Sequence, residues 1–224
     1  MKLDYLVPEG IARMVEWCRQ ERIDCLYFLA DCSSAATMVL AAENRFFQTD
    51  IRITLSCNTT GLITAMPNSN SIRSGCAQDL DRLEAIARCS HHDSRFYFDE
   101  RFSRQKCDDL YANWMRKSFS GLADEVLVAE WNGAAAGYIT CRITEPGKGE
   151  IGLLGVDGRA RGHGLGPQLV GGALQWFRDR NVKTVTVVTQ GRNVIAQRCY
   201  QRAGFLTDTI QLWFHRWFSY ALPS

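Results

Sequence analysis

The chain predicts an α/β (α+β) protein with a mixed central sheet, and three observations carry that prediction. β-Branched stretches such as residues 182–189 alternate with stretches of helical period, as in Leu169, Val170, Ala173, Leu174 and Phe177. A glycine-dense segment at 156–166 joins a strand pattern to a helix pattern. Residues 8–55 also match residues 167–214 without gaps. The shift is 159 (176 − 17, from Trp17 and Trp176), and it also sets Pro8 on Pro167 and Phe46 on Phe205.

The repeat fixes the first four elements. Ile11, Val15, Ile23, Leu26, Phe28, Ile51 and Ile53 fall on Val170, Leu174, Val182, Val185, Val187, Ile210 and Leu212. Each copy therefore reads helix, strand, helix, strand. The turn-rich stretch at 66–71 places a boundary between a partial unit at 1–66 and a larger domain at 67–224. Residues 72–73 read as a short strand, and 78–89 as a helix with Leu80, Leu83, Ile86 and Ala87 inward. Ser103 is positioned to cap a helix whose apolar face is Cys107, Leu110, Tyr111, Trp114, Met115 and Phe119. Strands at 125–131 and 134–144 flank Asn132-Gly133, a type I′ hairpin turn. A turn at 146–149 leads into a strand at 150–156. Pro167 sits harmlessly in the first turn of the next helix. A strand at 182–189, a helix at 193–202 stopped by Gly204, and a strand at 207–218 complete the order.

Composition bounds the function. With 46% hydrophobic and 22% charged residues, the 224-residue chain can bury a core without metal or disulfide staples. A net charge of +2 without a dense basic run argues against nucleic acid or a membrane as the main partner. Nine cysteines without a C-x-x-C pair read as reduced thiols of a cytoplasmic protein. Cys89, His91 and His92 are clustered, but adjacent helical histidines face different ways, so no metal is expected. The start lacks a signal-peptide pattern, and residues 25–42 are too polar to span a bilayer.

In the segment at 156–166, Gly162, Gly164 and Gly166 let backbone N–H groups converge without β-carbons in the way. The helix that follows adds its dipole and unpaired N–H groups, and Arg159, Arg161 and His163 add side-chain donors. This is an anion cradle. The spacing is neither that of a P-loop nor G-x-G-x-x-G.

At this point the chain resembles the GNAT superfamily of N-acetyltransferases. Its R-x-x-G-x-G signature is matched by Arg161, Gly164 and Gly166. A second segment, N-x6-Y-x3-G-F, is matched by Asn193, Tyr200, Gly204 and Phe205, and the resemblance covers about 72–218. It implies a GNAT fold with acetyl-CoA as co-substrate. The backbone of Leu154, Gly155 and Val156 would hold the pantetheine arm. Arg161, Gly162, His163, Gly164, Leu165 and Gly166 would hold the pyrophosphate, with Asn193 nearby. Tyr200 takes the place of the family's general acid, and Glu150 the place of a glutamate base in histone-type members. Strand alternation predicts Glu150 on the same face as Gly152, Leu154 and Val156. A solvated strand end, with waters carrying the proton, is the other reading of Glu150. The first copy has Ala41 for Tyr200, Ser34 for Asn193 and Arg45 for Gly204, so it is expected to be a degenerate, non-catalytic GNAT-like unit.

The layout further resembles the dTDP-fucosamine acetyltransferases, which also carry a partial unit ahead of the active one. Ser94-Arg95-Phe96, Tyr111-Ala112-Asn113-Trp114 and Ile151-Gly152-Leu153-Leu154 carry that likeness. It implies a nucleotide-sugar acceptor, a dTDP-4-amino-4,6-dideoxyhexose of cell-surface polysaccharide biosynthesis. Arg95 would pair with the phosphates, and Tyr97, Tyr111 and Trp114 would supply walls. A homodimer is compatible with this reading. A protein, peptide or small-amine acetyltransferase and a non-enzymatic acetyl-CoA-binding module stand as alternatives. Peptide turnover would mark the first, and coenzyme binding without turnover the second.

Overall fold

The computed structural model describes residues 8–60 and 71–218, so the boundary expected near residue 66 lies outside the described residues. The first copy forms α1 (Pro8–Gln20), β1 (Cys25–Asp31), α2 (Ala35–Glu43) and β2 (Phe47–Asn58). A short β3 (Ile72–Ser74) leads to α3 (Leu80–Ser90), α4 (Arg95–Phe98) and α5 (Arg104–Lys117). Then come β4 (Glu125–Trp131), β5 (Ala134–Glu145) and β6 (Lys148–Val156). The second copy follows as α6 (Leu165–Arg178), β7 (Thr184–Gln190), α7 (Val194–Arg202) and β8 (Leu206–Trp217). The one-turn α4 was not expected. Ser103 does precede α5, but its side chain makes no capping bond, so the helix start rests on backbone geometry.

The repeat is exact in its bounds. Adding 159 to 25–31, 35–43 and 47–58 gives 184–190, 194–202 and 206–217, the limits of β7, α7 and β8. Equivalent caps hold equivalent helices: the Ser34 side chain accepts from the Thr37 N–H, and Asn193 accepts from the Ala196 N–H. Left-handed turns recur at Arg22 and Asn181, and at Arg45 and Gly204.

All eight strands of the described residues join one sheet, in the order β1-β8-β2-β7-β6-β5-β4-β3. The copies exchange their last strands: β2 lies beside β7, and β8 beside β1, all antiparallel. The registers are images of each other, since Tyr27↔His215 becomes Thr186↔Ser56 under the shift of 159. Between the copies, β2 and β8 pair around Arg52↔Gln211, which is its own image (211 − 52 = 159). A local two-fold axis passes through that pair. The sheet therefore runs unbroken through both of the units expected at 1–66 and 67–224.

Two faces result. On one, Leu55, Cys57, Ile151, Val185 and Val187 pack with Leu169, Val170, Leu174 and Phe177 of α6, and with Tyr200 and Phe205. Full burial of each such side chain stabilises by roughly 1.5–3 kcal/mol. On the other face, α3 and α5 cover β4 to β6 through Leu83, Ile86, Tyr111, Met115, Val128, Tyr138 and Leu153. Toward β8 and β1 that second face is covered by α4 and Phe102, which reaches His215 and Trp217. Between these covers, Thr186 and Val188 of β7 and Arg52, Thr54 and Ser56 of β2 remain partly exposed. The strip is polar because strand alternation turns these residues away from the apolar layer.

Candidate active site

The anion cradle forms as a strand-to-helix corner. Asp157 accepts the Arg159 N–H and opens a single turn, Gly158–Ala160. Gly162 and Gly164 then take left-handed backbone, with φ of 83° and 79°, and Gly164 is the residue from which α6 springs. Such φ values suit glycine. Apart from its chain neighbours, no atom of the described residues lies within 4 Å of where a β-carbon of Gly162 would stand. At Gly166 the nearest is the Cys199 sulfur at 3.9 Å. The corner thus keeps its backbone open, and the N-terminal turn of α6 offers N–H groups to an anion. Arg161 is exposed and donates from Nε to the Val156 carbonyl at 3.3 Å. His163 contacts the Arg161 carbonyl at 3.1 Å and lies against Trp131, with ring centroids 5.0 Å apart. Leu165 is buried, so its contribution to the cradle is backbone.

The parallel pairing of β6 with β7 runs only from Lys148↔Thr184 to Ile151↔Val187. Beyond it the two strands part, leaving the β7-facing edge of Leu154, Gly155 and Val156 without a strand partner. An extended chain bearing amides fits such an edge. The coenzyme's pantetheine arm meets that description, so the residues present fit the group the family implies.

A bulge marks the parting. The β5 partners step from Cys141↔Ile151 to Ile139↔Leu154, so β6 carries one extra residue there. Thr140 staples it by accepting the Leu153 N–H at 2.8 Å, and a β-carbon on Gly152 would sit 2.8 Å from the same hydroxyl. The bulge corrects the expectation of plain alternation. Ile151, Leu154 and Val156 all pack in the α6 layer, whereas Leu153 packs under α3 and α5. Glu150 and Gly152 line a cavity of about 200 Å³ on this second face, with Trp114, Ser118, Leu122, Thr140 and Arg142.

Tyr200 is 5% exposed on α7 in the opposite layer. Burial, with a smaller contribution from Cys199, holds its hydroxyl well above the ordinary tyrosine range, so it stays protonated at neutral pH. Asn193 spends its side-chain oxygen on the α7 cap, donated by the Ala196 N–H at 3.0 Å. That commits its side chain to the start of α7.

The structure brings Trp114 together with Glu150 at one cavity and separates the other expected acceptor residues from it. Tyr97 is buried, its hydroxyl donating to Asp108 at 2.6 Å, so its polar group is committed to the fold. Tyr111 is buried and stacks on His91, with centroids 4.4 Å apart. Arg95 lies over Trp213 at 3.9 Å and Phe96 at 4.1 Å.

Three groups escaped sequence reasoning. His91 contacts the Tyr138 hydroxyl at 2.9 Å, and burial first, then His92 and Arg161, push its pKa down to about 4. Asp50 is buried near Arg192 (3.7 Å), with its pKa pushed up to about 6 by burial against the pull of that arginine. It lines a cavity of about 350 Å³ with Gln48, Phe98 and Arg192. Arg52 lies on the polar strip. The available signal was the alternation of Asp50, Arg52, Thr54 and Ser56 along β2, which marks one polar strand face. His92 lies against Tyr97, and no group of three metal-ligating side chains occurs among the described residues. No described helix is long and apolar enough to cross a membrane.

Comparison with known proteins places this geometry. The profile of the acetyltransferase (GNAT) family matches residues 84–205. The chain is 27% identical over 162 residues to dTDP-fucosamine acetyltransferase of Escherichia coli O6:H1, covering 68% of this chain and 67% of that protein. It is 27% identical over 139 residues to the spore coat polysaccharide biosynthesis protein SpsD of Bacillus subtilis, covering 62% of this chain. That match spans about half, 48%, of the Bacillus protein. A mycothiol acetyltransferase of Sanguibacter keddieii is 34% identical over 96 residues, 40% of this chain and 30% of that protein. Among solved structures, a GCN5-related N-acetyltransferase from Sphaerobacter thermophilus superposes with a TM-score of 0.65 at 17% identity, over 94% of this chain and 69% of that one. A tandem GNAT protein from the clavulanic acid biosynthesis pathway gives 0.63 at 15%, over 95% and 71%. At these identities the two structures speak to the fold.

Proposed function

Given that the chain belongs to the GNAT acetyltransferase family, we propose that it transfers the acetyl group of acetyl-CoA to the amino group of a nucleotide-linked amino sugar. The acceptor class is a dTDP-4-amino-4,6-dideoxyhexose. The observation that carries the transfer is the parted β6–β7 edge, with the glycine corner at one end and Tyr200 and Glu150 on opposite faces.

The corner residues Arg161, Gly162, His163, Gly164, Leu165 and Gly166 hold the pyrophosphate through backbone N–H groups and the α6 dipole. Leu154, Gly155 and Val156 hold the pantetheine amides. When bound, the coenzyme supplies an activated acyl group as a thioester. Backbone N–H groups of that edge are placed to stabilise charge developing on the acyl oxygen. The Leu153 N–H is spent on Thr140, so the donors come from the following residues. Glu150, on the α5 face, takes the proton of the acceptor amine, directly or through water. Tyr200, on the α6 face, gives its hydroxyl proton to the departing thiolate. Base and acid on opposite sides suit direct attack, in which the amine enters from one face and the thiol leaves by the other.

The nucleotide-sugar reading is supported by the dTDP-fucosamine acetyltransferase relative, matched over two thirds of both proteins, and by Arg95 on the acceptor face. The mycothiol acetyltransferase relative supports a second reading, a small amine without a nucleotide. The test is coenzyme A release measured with acetyl-CoA and a panel of dTDP-4-amino-4,6-dideoxyhexoses, amine glycosides and peptides. Release only with the nucleotide sugars is expected. Turnover of peptides or free amines alone would overturn the sugar assignment and leave the transfer reaction standing.

A further inference from the structure

Several half-buried arginines of this fold are matched to carboxylates. Arg73 meets Asp79 and Glu130, Arg82 meets Asp157, and Arg88 meets Asp109. Two on the acceptor face are not. Arg52 donates one hydrogen bond, from Nη1 to the neutral side-chain oxygen of Gln211 at 2.8 Å. Arg95 lies among Tyr27, Phe96 and Trp213, and its buried Nε has no partner. Neither has a carboxylate within 4 Å among the described residues, and the carboxylates around Arg95 are already committed. Asp50 serves Arg192, and Asp99 serves Arg101, His215 and Trp217.

The two guanidinium groups are neighbours along the sheet. Arg52 pairs with Gln211, and Asp50, two residues earlier on β2, pairs with Trp213, over which Arg95 lies. Arg52 lies on the polar strip, and Arg95 on the α4 cover that borders it. Glu150 acts electrostatically on Arg52 from beyond ion-pair distance, which ties this cationic patch to the cavity where the amine is expected. Arg216 also lacks a carboxylate, but it donates to the Asn44 carbonyl at the end of α2, where a helix dipole compensates it. Arg52 and Arg95 have no such helix end: Arg95 has the Tyr27 side chain and, beyond ion-pair distance, Asp50, and Arg52 has Glu150 beyond ion-pair distance. A buried, unmatched guanidinium is costly, and a phosphate accepts from its fork in paired geometry.

We propose that Arg52, contributed by the first copy of the repeat, joins Arg95 in a two-guanidinium site that binds the diphosphate of the acceptor beside Glu150. This rests on the nucleotide-sugar reading and deepens it. The first copy lacks the coenzyme machinery and yet supplies part of the acceptor site, because exchange of the last strands inserts β2 between β8 and β7. Arg52 sits on the local two-fold axis, where the second copy has Gln211. One guanidinium and one amide at symmetry-related places give a site of single polarity rather than two repelling charges.

The experiment is calorimetric titration with thymidine 5′-diphosphate, and separately with inorganic pyrophosphate. Saturating coenzyme A is present, so that the glycine corner is filled. Wild type is expected to bind both. Arg52→Gln, which keeps a polar partner for Gln211, should weaken binding about 10–100-fold, and Arg95→Gln should act similarly. Arg52→Lys should restore part of the loss, and all three should keep wild-type affinity for acetyl-CoA. Wild-type affinity for both anions in folded Arg52→Gln, or no anion binding by wild type, would overturn the site. Turnover separates the two readings. Nucleotide-sugar acetylation with KM indifferent to Arg52 removes the site and keeps the substrate. Anion binding lost in Arg52→Gln by a chain that acetylates no nucleotide sugar keeps the site and removes the substrate.

Discussion

The two copies of the repeat share strand limits, helix caps, left-handed turns and registers, and they differ in what surrounds them. Ser34 and Asn193 cap equivalent helices, and the turns at Arg45 and Gly204 coincide, at φ of 60° and 91°. These are demands of folding, and both copies meet them. The second copy alone has the described glycine corner before its first helix and a tyrosine in its second. The first has Ala41 there, fully buried. Chemistry was added to, or lost from, a common chassis without disturbing its hydrogen bonds. The helix–strand–helix–strand unit thus folds the same way with or without the glycine corner and the tyrosine.

Substitutions test whether the two copies divide the work in this way. Tyr200→Phe removes only a transferable proton from a buried site and should lower kcat by about 10²–10⁴-fold, with KM for acetyl-CoA unchanged, in steady-state assays. Unaltered turnover would move the acid elsewhere. Next in size is Glu150→Gln. Its loss of kcat at neutral pH should be partly recovered at high pH, where the acceptor amine loses its proton unaided. A flat profile would assign the proton to water.

A smaller effect is expected at His91. Its folded pKa, about 4, lies below the ordinary histidine value, so between those limits the unfolded chain binds more protons than the folded one. The His91 contribution to stability therefore falls as pH drops from about 6.5 to about 4, against an opposite contribution from Asp50, whose pKa burial raises. His91→Gln should make denaturant midpoints less steep over that window and leave the slope above pH 7 unchanged. His215, also shifted downward by burial, would retain part of the slope. Smallest is Arg45→Gly, which relieves a left-handed arginine. It should raise stability by up to about 1 kcal/mol, partly offset by the entropy of glycine in the unfolded chain. The reciprocal Gly204→Arg should lower Tm, and equal effects of opposite sign would show the two turns to be the same device.

Much of this was legible in the sequence. The repeat, the hairpin at Asn132-Gly133 and the glycine corner are local patterns, and local patterns are what periodicity reports. The exchange of β2 and β8 was not legible, because strand partners far apart in sequence leave no local mark. Nor was the β6 bulge. Ile151, Gly152, Leu153 and Leu154 read as one apolar run, and only the stapling by Thr140 shows where the extra residue falls. That residue decided which face Glu150 shares with its neighbours. Arg52 was passed over because one arginine in an alternating strand reads as a solvated face, whereas its meaning lies in having no carboxylate opposite it. Nor was the tie on Tyr97, an expected substrate wall, legible: its partner Asp108, eleven residues on in α5, claims the hydroxyl.

On the proposed reading, one copy of a symmetric pair holds the coenzyme. Calorimetric titration of the full chain with acetyl-CoA tests it most directly, alongside Gly164→Asp, which sets a carboxylate and a strained left-handed residue at the α6 start, and Arg45→Gly as the control in the first copy. One molecule bound per chain, an affinity reduced about 100-fold or more in folded Gly164→Asp and an unchanged affinity in Arg45→Gly are predicted. Two molecules per chain, or wild-type affinity in folded Gly164→Asp, would contradict it.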